Sequence, residues 1–215
     1  ALIGYKYDWD HYKLFYGQVY RLLERADDGE GHAWYRVLDE IEPERQAWVL
    51  ARNIRVIDPS EFEPISVGVT DKHIEISLAE QMLTCFEGGV LVFKTRIASG
   101  TSFRDDEGNL VDFSTVQGEY VVERKRPSRR MRGGTGVLAY DVNAVPWCTY
   151  FSDTGAAIHG AYWHNNYGAP RSHGCINVTP DAAKWIYRWT APHLSYEDEY
   201  RWREEGEPST PIIVI

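Results

Sequence analysis

No stretch of this 215-residue chain approaches the roughly 18 consecutive apolar residues that a membrane-crossing helix requires; apolar runs such as VLVF at 90–93 and IIVI at 212–215 are strand-sized. Positive charge is also scarce. The chain carries 23 Lys and Arg against 32 Asp and Glu, a formal net charge of −9. A nucleic-acid partner is therefore not expected, because binding phosphates requires a positive field. Cysteine is rarer still, with three thiols far apart at 85, 148 and 175. There is no CxxC pair, which excludes a zinc site of ribbon type, and an odd count leaves at least one thiol unpaired. The opening ALIGYKYDWD has neither a basic region nor an apolar core of secretory type. It starts on Ala rather than Met, as a processed chain would. No internal repeat or low-complexity segment stands out.

Aromatic residues are plentiful, with 8 Trp and 14 Tyr, and they favour strands. From Tyr16 to Ile57, QVYRLLER, the turn cluster ADDGEG and AWYRVLDE read as a hairpin, and AWVLARNIRVI adds further β-type residues. DPSEFEP then reads as an acidic, proline-punctuated linker. The segment resembles bacterial SH3-like modules, with WYRV and AWVLARNIRVI in strand-like places; a β-extension packed on the following domain is the alternative. Two domains are expected, a small SH3-like β-barrel over 1–62 and a β-rich catalytic domain over 63–215 with one or two helices. Within the latter, Ile74, Ile76 and Leu78 alternate with Glu75 and Ser77 as on a half-buried strand, and EGG marks a hairpin turn before VLVFKTRIA. Cys85 and Cys148 read as inward-facing strand residues. GEYVVERKR predicts a strand, and 127–148, rich in Gly, Pro and Arg, predicts a long loop. RKRPSRRMR at 124–132 holds six basic residues, either a solvated loop or a positive rim for carboxylates. Thr179 as N-cap, Pro180 and Asp181 predict a helix burying Ala182, Trp185, Ile186 and Trp189. SYEDEYRWREEGEP is expected as a solvated helix or loop, and TPIIVI as a closing strand.

AAIHGAYWHNNYGAPRSHGCIN, residues 156–177, concentrates the reactive side chains. His159, His164, His173 and Cys175 are zinc-ligand types, but spacings of five, nine and two residues match no usual ligand pattern. A glycine-rich loop with surface or core histidines would suit His164 yet leaves Ser-His-Gly-Cys unexplained. A cysteine nucleophile with a histidine base accounts for more. A free thiol, with a pKa near about 8.5, needs an imidazole to take its proton. Glycine beside it lets the backbone approach a carbonyl, and N–H groups around Gly174 and Cys175 would hold an oxyanion, at roughly 3 kcal/mol per donor. His159, after the strand-like AAI, is the better base. His173, two residues from Cys175, more readily braces the loop.

His159, sixteen residues ahead of Cys175, together with Ser172-His173-Gly174-Cys175-Ile176-Asn177 resembles the signature of the L,D-transpeptidase catalytic domain, the YkuD family. The histidine precedes the cysteine, the reverse of papain-like and NlpC-type peptidases. The resemblance covers about 64–215. TVQGEY stands where the family commonly has Thr-Pro-x-Gly-x-Phe, with Val116 and Tyr120 as departures. The resemblance implies a peptidoglycan L,D-transpeptidase, with Cys175 as nucleophile and His159 as general base. It further implies that the Gly160 carbonyl orients the imidazole and that Ser172, His173, Gly174 and Asn177 shape the loop and oxyanion site. It implies no cofactor or metal, peptidoglycan stem peptides as partners, an extracytoplasmic location and carbapenems as inhibitors. An L,D-carboxypeptidase and a non-catalytic wall-binding protein are the rivals.

Overall fold

The computed structural model describes residues 14–40, 44 and 47–215, so the opening ALIGYKYDWD lies outside the described residues. Strands β1 (Leu22–Asp27), β2 (Ala33–Val37) and β3 (Ala47–Leu50) form an antiparallel sheet in the order β1-β2-β3. The hairpin read from ADDGEG is present, and Asp28 organises its turn. The Asp28 carboxylate accepts from Glu30 N, His32 N and Trp34 Nε1 at 2.9–3.0 Å, and these bonds hold its pKa far below the usual carboxylate range. No closed SH3-like barrel is formed among the described residues. After β3 the chain leaves the sheet through short 3-10 turns at Ala51–Asn53 and Pro59–Phe62, so no further strand returns to close it. The linker opens on a capping box between Asp58 and Glu61. Phe62 is buried against Trp147 and Tyr187, with ring centroids 5.1 and 6.4 Å away.

The remaining chain builds two five-stranded sheets. The first takes β4 (Lys72–Ser77), β5 (Met82–Glu87) and β6 (Val90–Arg96), then, past a small hairpin of β7 (Ser102–Arg104) and β8 (Leu110–Asp112), β9 (Gly118–Val121). The second takes β10 (Arg124–Gly133), β11 (Tyr140–Tyr150), β12 (Ala157–Gly160), β13 (Ile176–Val178) and, after helix α1 (Pro180–Trp189), β14 (Arg201–Trp202). The closing strand β15 (Pro211–Val214) inserts into the first sheet, parallel to β4 and antiparallel to β9, as Ile212↔Ile74 and Ile212↔Tyr120. Alternation in β4 buries Ile74 and Ile76 completely while His73 and Glu75 point out. These meet Leu83, Ile97, Ile158, Ile176, Ile186 and Trp189 in one core, each aliphatic side chain stabilising by about 1.5–3 kcal/mol. Cys85 and Cys148 are buried, as their strand positions predict, and both are free thiols.

Three expectations fail here. Residues 127–148 are not a long loop: 124–133 and 140–150 pair as one extended hairpin, from Arg124↔Tyr150 to Gly133↔Tyr140. Pro127 misleads because prolines avoid paired strands, yet β14 pairs only Arg124 and Lys125, so among the described residues no strand lies on that side of β10 from there on. The basic run is thereby neither a solvated loop nor a free positive rim. Arg124 stacks on Tyr150 and Trp202, Arg126 on Tyr200, while Arg129 pairs with Glu40 and Arg130 with Asp141. The acidic tail is also not wholly helix or loop, since it contributes β14.

Helix α1 starts as read, with Thr179 Oγ1 accepting from Ala182 N at 3.2 Å. Its other end is capped by buried lysines. Lys125 Nζ donates to Tyr187 O and Thr190 O, and Lys72 Nζ to Trp189 O at 3.0 Å. Desolvation pushes the pKa of both ammonium groups down.

Candidate active site

Parallel pairing of β12 with β13 creates the site. The register sets Ile158 against Ile176 and His159 against Asn177. Side chains alternate along a strand, so Cys175, two residues before Asn177, belongs to the same face as Asn177 and His159. Ala157, Ile158, His159 and Gly160 are all buried, whereas Cys175 is half-buried immediately before β13.

His159 is held at both nitrogens. Nδ1 lies 3.2 Å from Gly160 O, and Nε2 lies 3.1 Å from Asn177 Nδ2. A carbonyl only accepts, so Nδ1 carries the proton and Nε2 presents its lone pair. Burial pushes the pKa of this imidazole down to about 4, and the neighbouring His164 pushes the same way. The Cys175 thiol is shifted up by desolvation, with the Ala157 backbone N–H pulling back. The two groups therefore rest as neutral thiol and neutral imidazole. Among the described residues they make no hydrogen bond to each other. Gly160 fits because nothing larger would: a Cβ there would lie 2.8 Å from Pro146 Cγ and 2.8 Å from Pro180 Cα.

Each residue of Ser-His-Gly-Cys has a distinct setting. Ser172 Oγ accepts from Gly174 N at 3.1 Å and donates to Cys175 O, folding the loop back on itself. Its backbone is tied to Ser99 and Thr101 by Ser172 N→Ser99 O at 2.9 Å and Thr101 N→Ser172 O at 3.1 Å. The His173 ring stacks on Phe103 at 4.4 Å, with Phe113 and Tyr140 at 4.8 Å, and its Nε2 has no partner. His159, His164, His173 and Cys175 do not gather as metal ligands; among the described residues no three His, Cys, Asp or Glu converge on a point.

Two contributors were not legible as functional in the sequence. Thr115 Oγ1 donates to Gly174 O at 3.0 Å and accepts from Gly100 N at 2.9 Å, buttressing the cysteine loop from behind. Gly100 gives the close approach, since a Cβ there would lie 2.0 Å from Phe113 O and 2.9 Å from Gly174 Cα. Thr115 opens the TVQGEY stretch, which was the available signal. His164, read as an ordinary histidine, places Nε2 3.0 Å from Asn177 Oδ1.

A two-sheet β protein with a half-buried cysteine set beside a neutral histidine is the class this fold and site define. The family model of the YkuD L,D-transpeptidase catalytic domain matches residues 71–214. The chain belongs to the YkuD L,D-transpeptidase family. It is 34% identical over 84 residues to L,D-transpeptidase 2 of Mycobacterium tuberculosis, over 34% of this chain and 20% of that protein. Among solved structures, the fold is similar to LD transpeptidase LdtMt1 in complex with imipenem, with TM-score 0.50, 19% identity, and coverage of 67% of this chain and 58% of that one. It is likewise similar to an L,D-transpeptidase from Mycobacterium smegmatis, with TM-score 0.50, 19% identity, and coverage of 86% and 90%. The chain thus spans less than two thirds of the length of the first two.

Proposed function

We propose that the chain is a peptidoglycan L,D-transpeptidase that makes 3→3 cross-links through a Cys175 acyl-enzyme. The observation that carries this reading is the register of β12 on β13, which sets a neutral, Nδ1-protonated His159 on the face shared with Cys175. With both groups neutral at rest, the thiol proton passes to His159 Nε2 as sulfur attacks the carbonyl of the third residue of a stem tetrapeptide. For this, Nε2 exchanges its contact with Asn177 for the thiol. The imidazolium returns the proton to the departing amine, D-alanine leaves, and a thioester remains. The side-chain amine of a second stem then attacks the thioester, giving up a proton to His159 and restoring the thiol. Gly174 N–H is committed to Ser172, so the Cys175 N–H is the loop donor left for the oxyanion. The reaction needs no cofactor or metal. Its substrate places the protein outside the cytoplasmic membrane, with residues 1–62 as a module preceding the catalytic domain of 63–215.

Mass spectrometry of products from purified muropeptides tests the reading. Cross-linked dimers with loss of D-alanine are expected, and Cys175→Ala should abolish both. Tripeptide without dimer would make the protein an L,D-carboxypeptidase, with water as acceptor. Turnover that survives in Cys175→Ala would overturn the assignment. A carbapenem should add once, at Cys175, as intact mass and peptide mapping would show.

A further inference from the structure

His164 lies five residues beyond His159, on the loop that leaves β12, and the reaction above makes no use of it. That loop is pinned at both ends. Tyr162 Oη donates to Asn143 O at 2.7 Å, and Tyr167 Oη donates to Ala161 O at 2.7 Å. Within it, the backbone N–H of Asn166 donates to His164 Nδ1 at 3.2 Å. His164 Nε2 lies 3.0 Å from Asn177 Oδ1, Asn177 Nδ2 lies 3.1 Å from His159 Nε2, and His159 Nδ1 lies 3.2 Å from Gly160 O.

The protons along this chain follow from its two ends. A backbone N–H can only donate, so His164 Nδ1 is a lone pair and the single proton of its neutral ring sits on Nε2. Asn177 must then accept through Oδ1, which turns its amide N–H toward His159 Nε2. At the far end, the Gly160 carbonyl can only accept, so His159 carries its proton on Nδ1. Both ends impose the same direction, and no link has two donors or two acceptors facing. An amide turned the other way would offer Oδ1 to His159 and favour a proton on Nε2, the state in which the ring cannot act as a base.

We propose that His164 is a positioning residue, which through Asn177 orients the amide that keeps the His159 Nε2 lone pair free of its own proton. The proposal rests on the reading of His159 as the base. His164 is the ionisable neighbour of His159 on this loop, and Cys175 shares its face from β13. β11 and α1 meet this end of β12 through Pro146 and Pro180, neither of which titrates.

Side-chain nitrogen NMR of His159 in the full chain tests it without requiring turnover. The wild-type ring should show the Nδ1–H tautomer and stay neutral below pH 6. In His164→Ala the Asn177 amide is free to turn, so His159 should titrate closer to its ordinary value of about 6.5 and lose its single tautomer. His164→Gln keeps an N–H for Asn177 Oδ1 and should restore the wild-type spectrum. In kinetics, His164→Ala should lower kcat/KM up to about tenfold at pH 5.5 and little at pH 8, because only the acid limb moves. A His164→Ala protein that is folded by its backbone spectrum, with His159 tautomer and titration unchanged, would overturn the proposal. Activity surviving in Cys175→Ala would instead overturn the reaction assignment and leave the tautomer result standing.

Discussion

At the scale of residues, the site is a matter of which atoms a side chain is denied. His159 is denied water, so it stays neutral far below the pH at which a free imidazole would charge. Gly160 is denied a side chain by Pro146 and Pro180, and its carbonyl is thereby set where Nδ1 needs an acceptor. Gly160→Ala should displace that carbonyl and the ring with it. A fall in kcat/KM of roughly 100-fold is expected, since a shift of about 1 Å in a catalytic group costs that much. Steady-state kinetics on a variant shown to be folded would check it. Thr115→Val removes the hydroxyl that joins Gly100 N to Gly174 O. It should cost about 1–3 kcal/mol of stability, measurable by urea denaturation.

At the scale of elements, helix α1 shows how a short helix is stabilised from outside. Its N-terminus is self-sufficient through Thr179, and Thr179→Ala should cost about 1 kcal/mol. Its C-terminal carbonyls depend on Lys125 and Lys72, which arrive from β10 and β4. Lys125→Met keeps the buried stem but leaves Tyr187 O and Thr190 O without their donor. A loss of roughly 2–4 kcal/mol is expected by chemical denaturation, well above the effect of losing the N-cap. The same lysine shows why a basic run is poorly read by composition: one of its members is fully buried, and most others face aromatic rings or carboxylates.

At the scale of the whole molecule, acid should loosen the fold in two stages. His159 and His193 both have pKa values depressed from 6.5 to about 4, chiefly by burial. Their unfolded forms bind a proton first as pH falls, so stability is full above about 6.5 and declines toward pH 4. For His159 alone this amounts to about 3 kcal/mol. Glu61 follows. Its bonds to Arg55 and Lys184 hold it down to about 2, so its stabilisation is present above 4.5 and is lost as pH falls through 2. Because Lys184 is on α1 and Glu61 on the N-terminal side, this second stage strikes the join between the N-terminal segment and the sheets. Urea midpoints measured from pH 8 to pH 3 should fall first between 6.5 and 4, and His193→Gln should flatten that window.

Much of this was legible in the sequence by itself. Alternation determined β4, Gly88–Gly89 the hairpin between β5 and β6, Thr179-Pro180 the start of α1, and His159 with Ser-His-Gly-Cys the family. These are local signals, because strand faces, turns and caps are decided by residues a few positions apart. The hairpin of β10 and β11 was not legible, since Pro127 and Pro146 argue against a strand unless one knows which edges stay unpaired. Nor was the absence of a barrel, because closure depends on where the chain travels after Leu50. Only tertiary structure could decide the role of His164 and the neutrality of His159. Tautomer and pKa follow from partners and burial supplied by Asn177, Gly160 and Asn166 after folding, and sequence spacing carries neither.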